Sequence, residues 1–258
     1  MIIIHPGPGL DSGIFFPWFE RLARSYRVIA IDLPGHGRSQ TGSPASWSIK
    51  NFAARVTEFV VDLGLEGYVI LGHSFGSFVA LQHVVDFPGH PRGVVVSCGV
   101  AHVDALAEQA PLGLSALAPE ARELVERAWE VEVRTEADAL AMWQGQMNLL
   151  VREIGGTAHR LLDDALRQVV FQPDIIRHDD FGEYDVREQL ADVLIPSLVV
   201  TGRDDHMVTP TMAQEVAGRL PHSSFAVIER AGHFPFAEQP GAYFDALTGW
   251  LESMHDTR

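Results

Sequence analysis

A serine framed by glycines, a pair of adjacent aspartates in one polar loop and a histidine in another are the residues of this sequence best suited to do chemistry. The segment Gly72-His73-Ser74-Phe75-Gly76 follows a short apolar run and precedes an amphipathic one. Glycines two before and two after a serine permit a sharp strand-to-helix turn that pushes the hydroxyl outward. The five-residue pattern alone is weak, and its placement between a strand and a helix makes it stronger. A serine hydroxyl is a poor nucleophile at neutral pH and needs an adjacent base, itself oriented by a carboxylate. Downstream, Gly202-Arg203-Asp204-Asp205-His206 and Ala231-Gly232-His233-Phe234-Pro235 each follow an apolar run. Both loops therefore fall at the carboxyl end of a strand, where parallel α/β sheets place their ligands.

The elements that must position these loops read as alternating strands and helices. Apolar runs rich in Val and Ile at 2–5, 27–32, 68–72, 93–97, 197–201 and 225–229 predict buried strands. Amphipathic stretches at 15–24, 49–63, 75–87, 211–219 and 240–254 predict helices between them. That alternation implies a mostly parallel sheet with helices on both faces. The pattern breaks over 101–191, where helical runs such as 119–131 and 136–153 occur without a convincing strand, punctuated by Gly155-Gly156 and Pro173. The expected organisation is thus an α/β core from 1–100 and 192–258, with a helical lid from 101–191 over the carboxyl edge of the sheet. The run 136–153 would turn Leu140, Trp143, Met147 and Leu150 inward at helical spacing.

Composition narrows the function classes. The 258 residues are 47% hydrophobic and 21% charged, ordinary for a globular chain, but 34 acidic against 19 basic side chains give a formal charge of -15. Such a surface repels phosphate backbones and anionic membranes, so no nucleic-acid or membrane partner is expected. No apolar run approaches the roughly 18 residues of a membrane span, and Met1-Ile2-Ile3-Ile4-His5 lacks the basic and apolar regions of a signal peptide. The single cysteine, Cys98, reads as a buried core residue in a reducing compartment. The expected location is cytoplasmic. The histidines show no metal-ligand spacing such as HExxH, so neither a metal nor a cofactor is expected. His36, between two glycines, reads as a structural contact. The polar stretch from His178 through Asp179, Asp180 and Glu183 to Asp185 reads as a solvated connection, with binding of a substrate amine as the alternative.

Taken together, these segments resemble the α/β-hydrolase family, and within it the proline-iminopeptidase-like branch. His5-Pro6-Gly7-Pro8-Gly9 is similar to that branch's His-Gly-Gly-Pro-Gly loop, and Asp32-Leu33-Pro34-Gly35-His36-Gly37-Arg38-Ser39 to the loop after the family's fourth strand. Asp185-Val186 through Pro196, Gly202-x-x-Asp205 and Gly232-His233-Phe234-Pro235 complete the likeness, which covers essentially the whole chain outside 101–191. The resemblance implies an α/β-hydrolase fold and a triad in the order Ser, acid, His. It makes Ser74 the nucleophile, His233 the base and Asp205 the acid, preferred over Asp204 for its spacing from Gly202. It also makes Gly7 and Phe75 the oxyanion-hole donors; proline at position 6 lacks an N–H, but the family donates from position 7. His73, Trp143, Met147 and Phe234 are the candidate substrate contacts. The family has two strands before the His-Gly strand, and here Met1 already stands on it, so those strands are expected to be absent. The run 27–32 would then be an uncovered apolar edge, which invites pairing with a second copy.

The chemistry these residues imply is hydrolysis of a small-molecule acyl substrate, an ester or lactone, through an acyl-enzyme. Aminopeptidase action on N-terminal proline is the alternative. Against it, the turn here is Gly-His-Ser-Phe-Gly where that branch carries Gly-Gly-Ser-Trp-Gly, and it needs a carboxylate such as Glu153, Asp164 or Asp180 in the pocket to hold the amine. A C–C bond hydrolase and a non-catalytic ligand receptor on the same fold are the remaining readings.

Overall fold

Strand residues alternate in which face they bury, and that alternation divides the core in two. Ile3, Leu71, Val95, Leu198 and Val200 face one hydrophobic cluster, while Ile2, Ile4, Ile70, Val94, Val96 and Val199 face the other. The computed structural model describes residues 1–178 and 181–254. Its strands are β1 (Ile2–Ile4), β2 (Ile29–Ile31), β3 (Val69–His73), β4 (Gly93–Ser97), β5 (Ser197–Gly202) and β6 (Ser223–Ile228). Among the described residues they form a six-stranded sheet in the order β2-β1-β3-β4-β5-β6, and each neighbouring pair is parallel. Parallel pairing places every strand's carboxyl end on one edge of the sheet, which is where the Ser74, Asp205 and His233 loops emerge. β2 lies at one rim of the sheet and its three residues are only half-buried.

Helices cover both faces, as the alternating pattern predicts. The helices α1 (Ile49–Asp62) and α2 (Phe75–Asp86) bury Phe52, Val56, Val79 and Val84 against one face. The single helix expected over 15–24 is instead two short 3-10 helices, Ser12–Phe15 and Trp18–Arg24, interrupted at Pro17, which has no N–H to continue a helical ladder.

Between β4 and β5 the described residues form no strand beyond an isolated bridge of His102 with Asp185; their helices are α3 (Asp104–Ser115), α4 (Pro119–Trp129), α5 (Glu136–Leu150), α6 (Thr157–Leu166) and α7 (Pro173–Ile176), with a 3-10 turn at Gln189–Asp192. α5 starts on a capping box, in which the Thr135 hydroxyl accepts from Asp138 N–H and the Asp138 carboxylate accepts from Thr135 N–H. This helical segment is tied to the rest of the chain by backbone and side-chain bonds: Val170 N–H donates to Asp11 at 2.9 Å and Gln172 donates to the Gly37 carbonyl at 3.0 Å. The remaining helices are α8 (Pro210–Arg219), α9 (Pro235–Glu238) and α10 (Pro240–Ser253). α10 lays Tyr243, Phe244, Leu247 and Trp250 on the second face, with Phe19 and Trp18 beside them. Among the described residues no helix is long and apolar enough to cross a membrane.

Candidate active site

Ser74 stands on the one-residue turn between β3 and α2 with φ 52° and ψ -122°. A side chain other than glycine avoids this conformation, at a cost of about 1–3 kcal/mol, so surrounding packing has to hold it. The flanking glycines make the turn possible. A Cβ on Gly72 would stand 2.1 Å from the Gly76 carbonyl oxygen, and one on Gly76 would stand 2.4 Å from the carbonyl oxygen of Ile4 on the neighbouring strand. The turn is fastened by Ser74 N–H donating to the Ser97 carbonyl at 2.9 Å and by Ser77 N–H donating back to the Ser74 carbonyl at 2.8 Å.

The downstream loops bring their polar residues to this turn from β5 and β6. His233 Nε2 lies 2.9 Å from Ser74 Oγ, and His233 Nδ1 lies 2.7 Å from Asp205 Oδ2. The other carboxylate oxygen of Asp205 accepts from Met207 N–H and Val208 N–H, both at 2.9 Å. Asp205 and His233 are buried, at 3% and 4% exposure. Asp204 points away and pairs with Arg152 at 2.8 Å on the surface. With Nδ1 bonded to a carboxylate, the neutral ring carries its proton there and presents an unprotonated Nε2 to the serine hydroxyl. That arrangement accepts a proton from Ser74 without any change of tautomer.

A cavity of about 320 Å³ opens over Ser74. Gly7, Phe75, Trp143 and Phe234 line it, together with Pro8, Phe78, Leu150, Tyr184 and Met207. As the first residue of α2, Phe75 keeps its N–H outside the intrahelical ladder. The Gly7 loop is held by His5, whose Nδ1 bonds the Pro6 carbonyl at 2.7 Å while Nε2 accepts from Leu33 N–H at 3.1 Å. His5 thereby joins the loop after β1 to the loop after β2. Burial pushes its pKa down, which keeps Nε2 available as an acceptor.

Two expected substrate contacts lie elsewhere. His73 is fully buried beneath the site and does not line the cavity: its Nδ1 bonds Ser97 Oγ at 3.0 Å, and its ring packs 5.3 Å from that of His233. His73 ends β3 on the same side as Leu71 and Val69, two and four positions back, so it points into the core. Met147 is also fully buried and, unlike its cluster neighbour Trp143, does not line the cavity. His36, as expected, is a structural contact, its ring 4.7 Å from that of His5 at a tilt of 51° and its Nδ1 on the Pro34 carbonyl. Glu153 and Asp164 do not line the cavity. Asp179 and Asp180 lie outside the described residues, while the neighbouring Phe181, Gly182 and Tyr184 do line it. Asp185 pairs with Arg187 on the surface.

Cys98 sits closer to the chemistry than its apolar run suggests. Ligand atoms of Cys98, Asp205 and His233 all lie within 4.8 Å of one another, the kind of grouping that could hold a metal ion. Both ring nitrogens of His233 are already bonded, however, and burial pushes the Cys98 thiol well above its ordinary range, so it stays protonated. The grouping fits a hydrogen-bonded pair with a neutral thiol beneath it. Sequence reasoning also missed Gln146, the polar residue one helical turn from Trp143 that lines the cavity.

Known proteins with this architecture give the comparison. The chain is 27% identical over 255 residues to (E)-2-((N-methylformamido)methylene)succinate hydrolase of Acinetobacter baylyi, covering 98% of this chain and 90% of that one. It is 24% identical to a proline iminopeptidase of Lactobacillus crispatus, with 99% and 90% covered. A thermophilic esterase from Thermogutta terrifontis superposes with a TM-score of 0.77 at 25% identity, over 98% of this chain and 90% of that chain. The family model for the alpha/beta hydrolase fold matches residues 1–240, and on that match, with the sheet order and the loops described above, this chain belongs to the α/β-hydrolase family.

Proposed function

We propose that this hydrolase cleaves uncharged carboxylic esters, lactones included, through an acyl-enzyme on Ser74. The observation that carries the reading is the unbroken line from Asp205 Oδ2 through His233 to Ser74 Oγ, with contacts of 2.7 and 2.9 Å, beneath a cavity walled by apolar side chains. Ser74 Oγ attacks the acyl carbon as its proton passes to His233 Nε2. Asp205 stabilises the imidazolium that results. The oxygen that becomes negative sits against the N–H groups of Gly7 and Phe75, each worth about 3–4 kcal/mol of barrier. Collapse of the tetrahedral intermediate breaks the C–O bond, and His233 hands its proton to the departing alkoxide. A water molecule, deprotonated by His233, then attacks the acyl-enzyme and releases the acid.

The cavity supports uncharged substrates. Among the described residues its lining holds no lysine, arginine, aspartate or glutamate. The Acinetobacter relative is named for a succinate, and a dicarboxylate calls for cationic partners that this lining does not supply. Proline aminopeptidase action, suggested by the His5-Pro6-Gly7-Pro8-Gly9 loop and the Lactobacillus relative, is the second reading, and it needs a carboxylate at the amine. The segment 101–191 acts as a lid in this proposal, with Trp143 and Leu150 of α5 forming the wall that excludes water.

The test is labelling with a fluorophosphonate, alongside assays on p-nitrophenyl esters, lactones and proline arylamides. The wild type should label and turn over neutral esters, while Ser74→Ala should do neither and keep its fold. Retention of a tenth of the turnover by Ser74→Ala would sink the nucleophile assignment. Proline arylamides turned over faster than esters would move the substrate class. Failure to label or turn over any of the panel would favour a ligand receptor.

A further inference from the structure

The loop carrying His233 is held from outside the core. His233 N–H donates to the Leu150 carbonyl at 2.7 Å, and Leu150 ends α5 and lines the cavity. On either side of the histidine, Gly232 N–H and Phe234 N–H donate to one oxygen of Glu238, at 2.9 and 3.3 Å. The other oxygen of Glu238 accepts from Arg152 N–H at 2.9 Å. The Arg152 guanidinium in turn pairs with Asp204, next to Asp205 in the acid loop. The fit is close enough that a Cβ on Gly232 would stand 2.6 Å from the Leu150 oxygen and 3.1 Å from the Arg152 nitrogen. Leu150 through Arg152 therefore touches the cavity wall, the base loop and the acid loop at once.

A carboxylate suits this junction because it offers two oxygens that only accept, and three backbone N–H groups converge on it. Burial pushes the Glu238 pKa up, and the three N–H groups oppose that shift by favouring the charged form. We propose that Glu238 is a positioning residue that fixes the His233 loop against the end of α5, so that the placement of the base depends on the helix that walls the substrate cavity. The inference rests on the reading of Ser74, His233 and Asp205 given above. Neither Glu238 nor Arg152 touches the reacting atoms in this account; their effect passes through the backbone of residues 232–234.

Glu238→Gln isolates the link. Its amide oxygen can keep the two bonds to Gly232 and Phe234, but its NH2 then faces Arg152 N–H, donor against donor. With p-nitrophenyl acetate, too small to press on α5, kcat should fall at least tenfold while KM stays within twofold. The low-field proton resonance of the His233–Asp205 hydrogen bond should shift or broaden. Both are read at a temperature where a thermal melt shows the variant folded. If Glu238→Gln does not fold, Glu238→Asp, which keeps the charge and shortens the reach by one methylene, carries the same two readouts. A folded variant with kcat within twofold of wild type and an unmoved resonance overturns the proposal. Ser74→Ala run in parallel separates the two levels: if it is inactive while Glu238→Gln is unimpaired, only the positioning role fails, and if it is active the underlying reading fails.

Discussion

Asp204 and Asp205 are neighbours in the chain with opposite surroundings. Asp205 is buried with three polar partners around it, two backbone N–H groups on one oxygen and His233 on the other. The Asp204 side chain is 40% exposed, and its ion pair among the described residues is with a similarly exposed arginine, a contact worth about 0–1 kcal/mol. Asp205→Asn should therefore lower kcat by about four orders of magnitude through loss of the charge that orients and stabilises the imidazolium, and Asp204→Asn should stay within a few-fold of wild type. Steady-state kinetics on one chromogenic ester distinguish them, and the reverse ranking would move the acid to Asp204. Spacing from Gly202 was enough to favour Asp205 in the sequence. The reason is structural: the Asp205 oxygen caps the N–H groups two and three residues ahead of it, which turns the loop back under the histidine.

On α5 the unit of explanation is the helix face. Trp143 and Met147 are one turn apart and share a face, yet Trp143 reaches the cavity lining while Met147 is fully buried in the core cluster. Met147→Ala should thus destabilise the fold by about 2–5 kcal/mol and leave KM for a small acetate ester unchanged. Trp143→Ala should raise KM for long-chain esters while kcat on acetate changes little. Thermal melts and a chain-length series of p-nitrophenyl esters measure both. Helical periodicity predicted that Leu140, Trp143, Met147 and Leu150 turn inward together. It could not say which meet core and which meet the cavity, because that depends on how the helix lies across Phe234 and Ser74.

At the scale of the whole molecule, burial keeps His5, His36, His73 and His83 in the neutral form. Desolvation pushes His36 and His73 well below their ordinary pKa, lowers His5, and takes His83 down to about 4. The unfolded chain takes up these protons near pH 6.5, whereas the folded protein does so only at lower pH. Stability is therefore complete above pH 6.5 and falls as pH drops toward the folded values, by up to about 1.4 kcal/mol per pH unit for each histidine. Asp11 and Glu238, whose carboxyls burial pushes upward, act in the opposite sense, starting from about pH 4. Urea unfolding between pH 7.5 and 5.5 should show the stability falling with acidification. A flat profile would contradict neutral burial of these rings.

What the sequence determined by itself was the sheet, its carboxyl edge and which polar loops emerge there. Apolar runs of strand length, separated by amphipathic ones, leave few ways to bury Val and Ile on both faces of a parallel sheet, and glycines at 72 and 76 are needed wherever backbone approaches as closely as at Gly76 and Ile4. Order and spacing then sufficed to nominate Ser74, Asp205 and His233, since each sits at the end of its own strand. Tertiary structure decided what depends on contacts between segments distant in the chain. It turned His73 into the core and seated Cys98 under the Asp205–His233 pair. It also brought Glu238 against Arg152, 86 positions away. No periodicity records such a meeting, because it is set by how distant segments pack against one another rather than by the order of residues along either one.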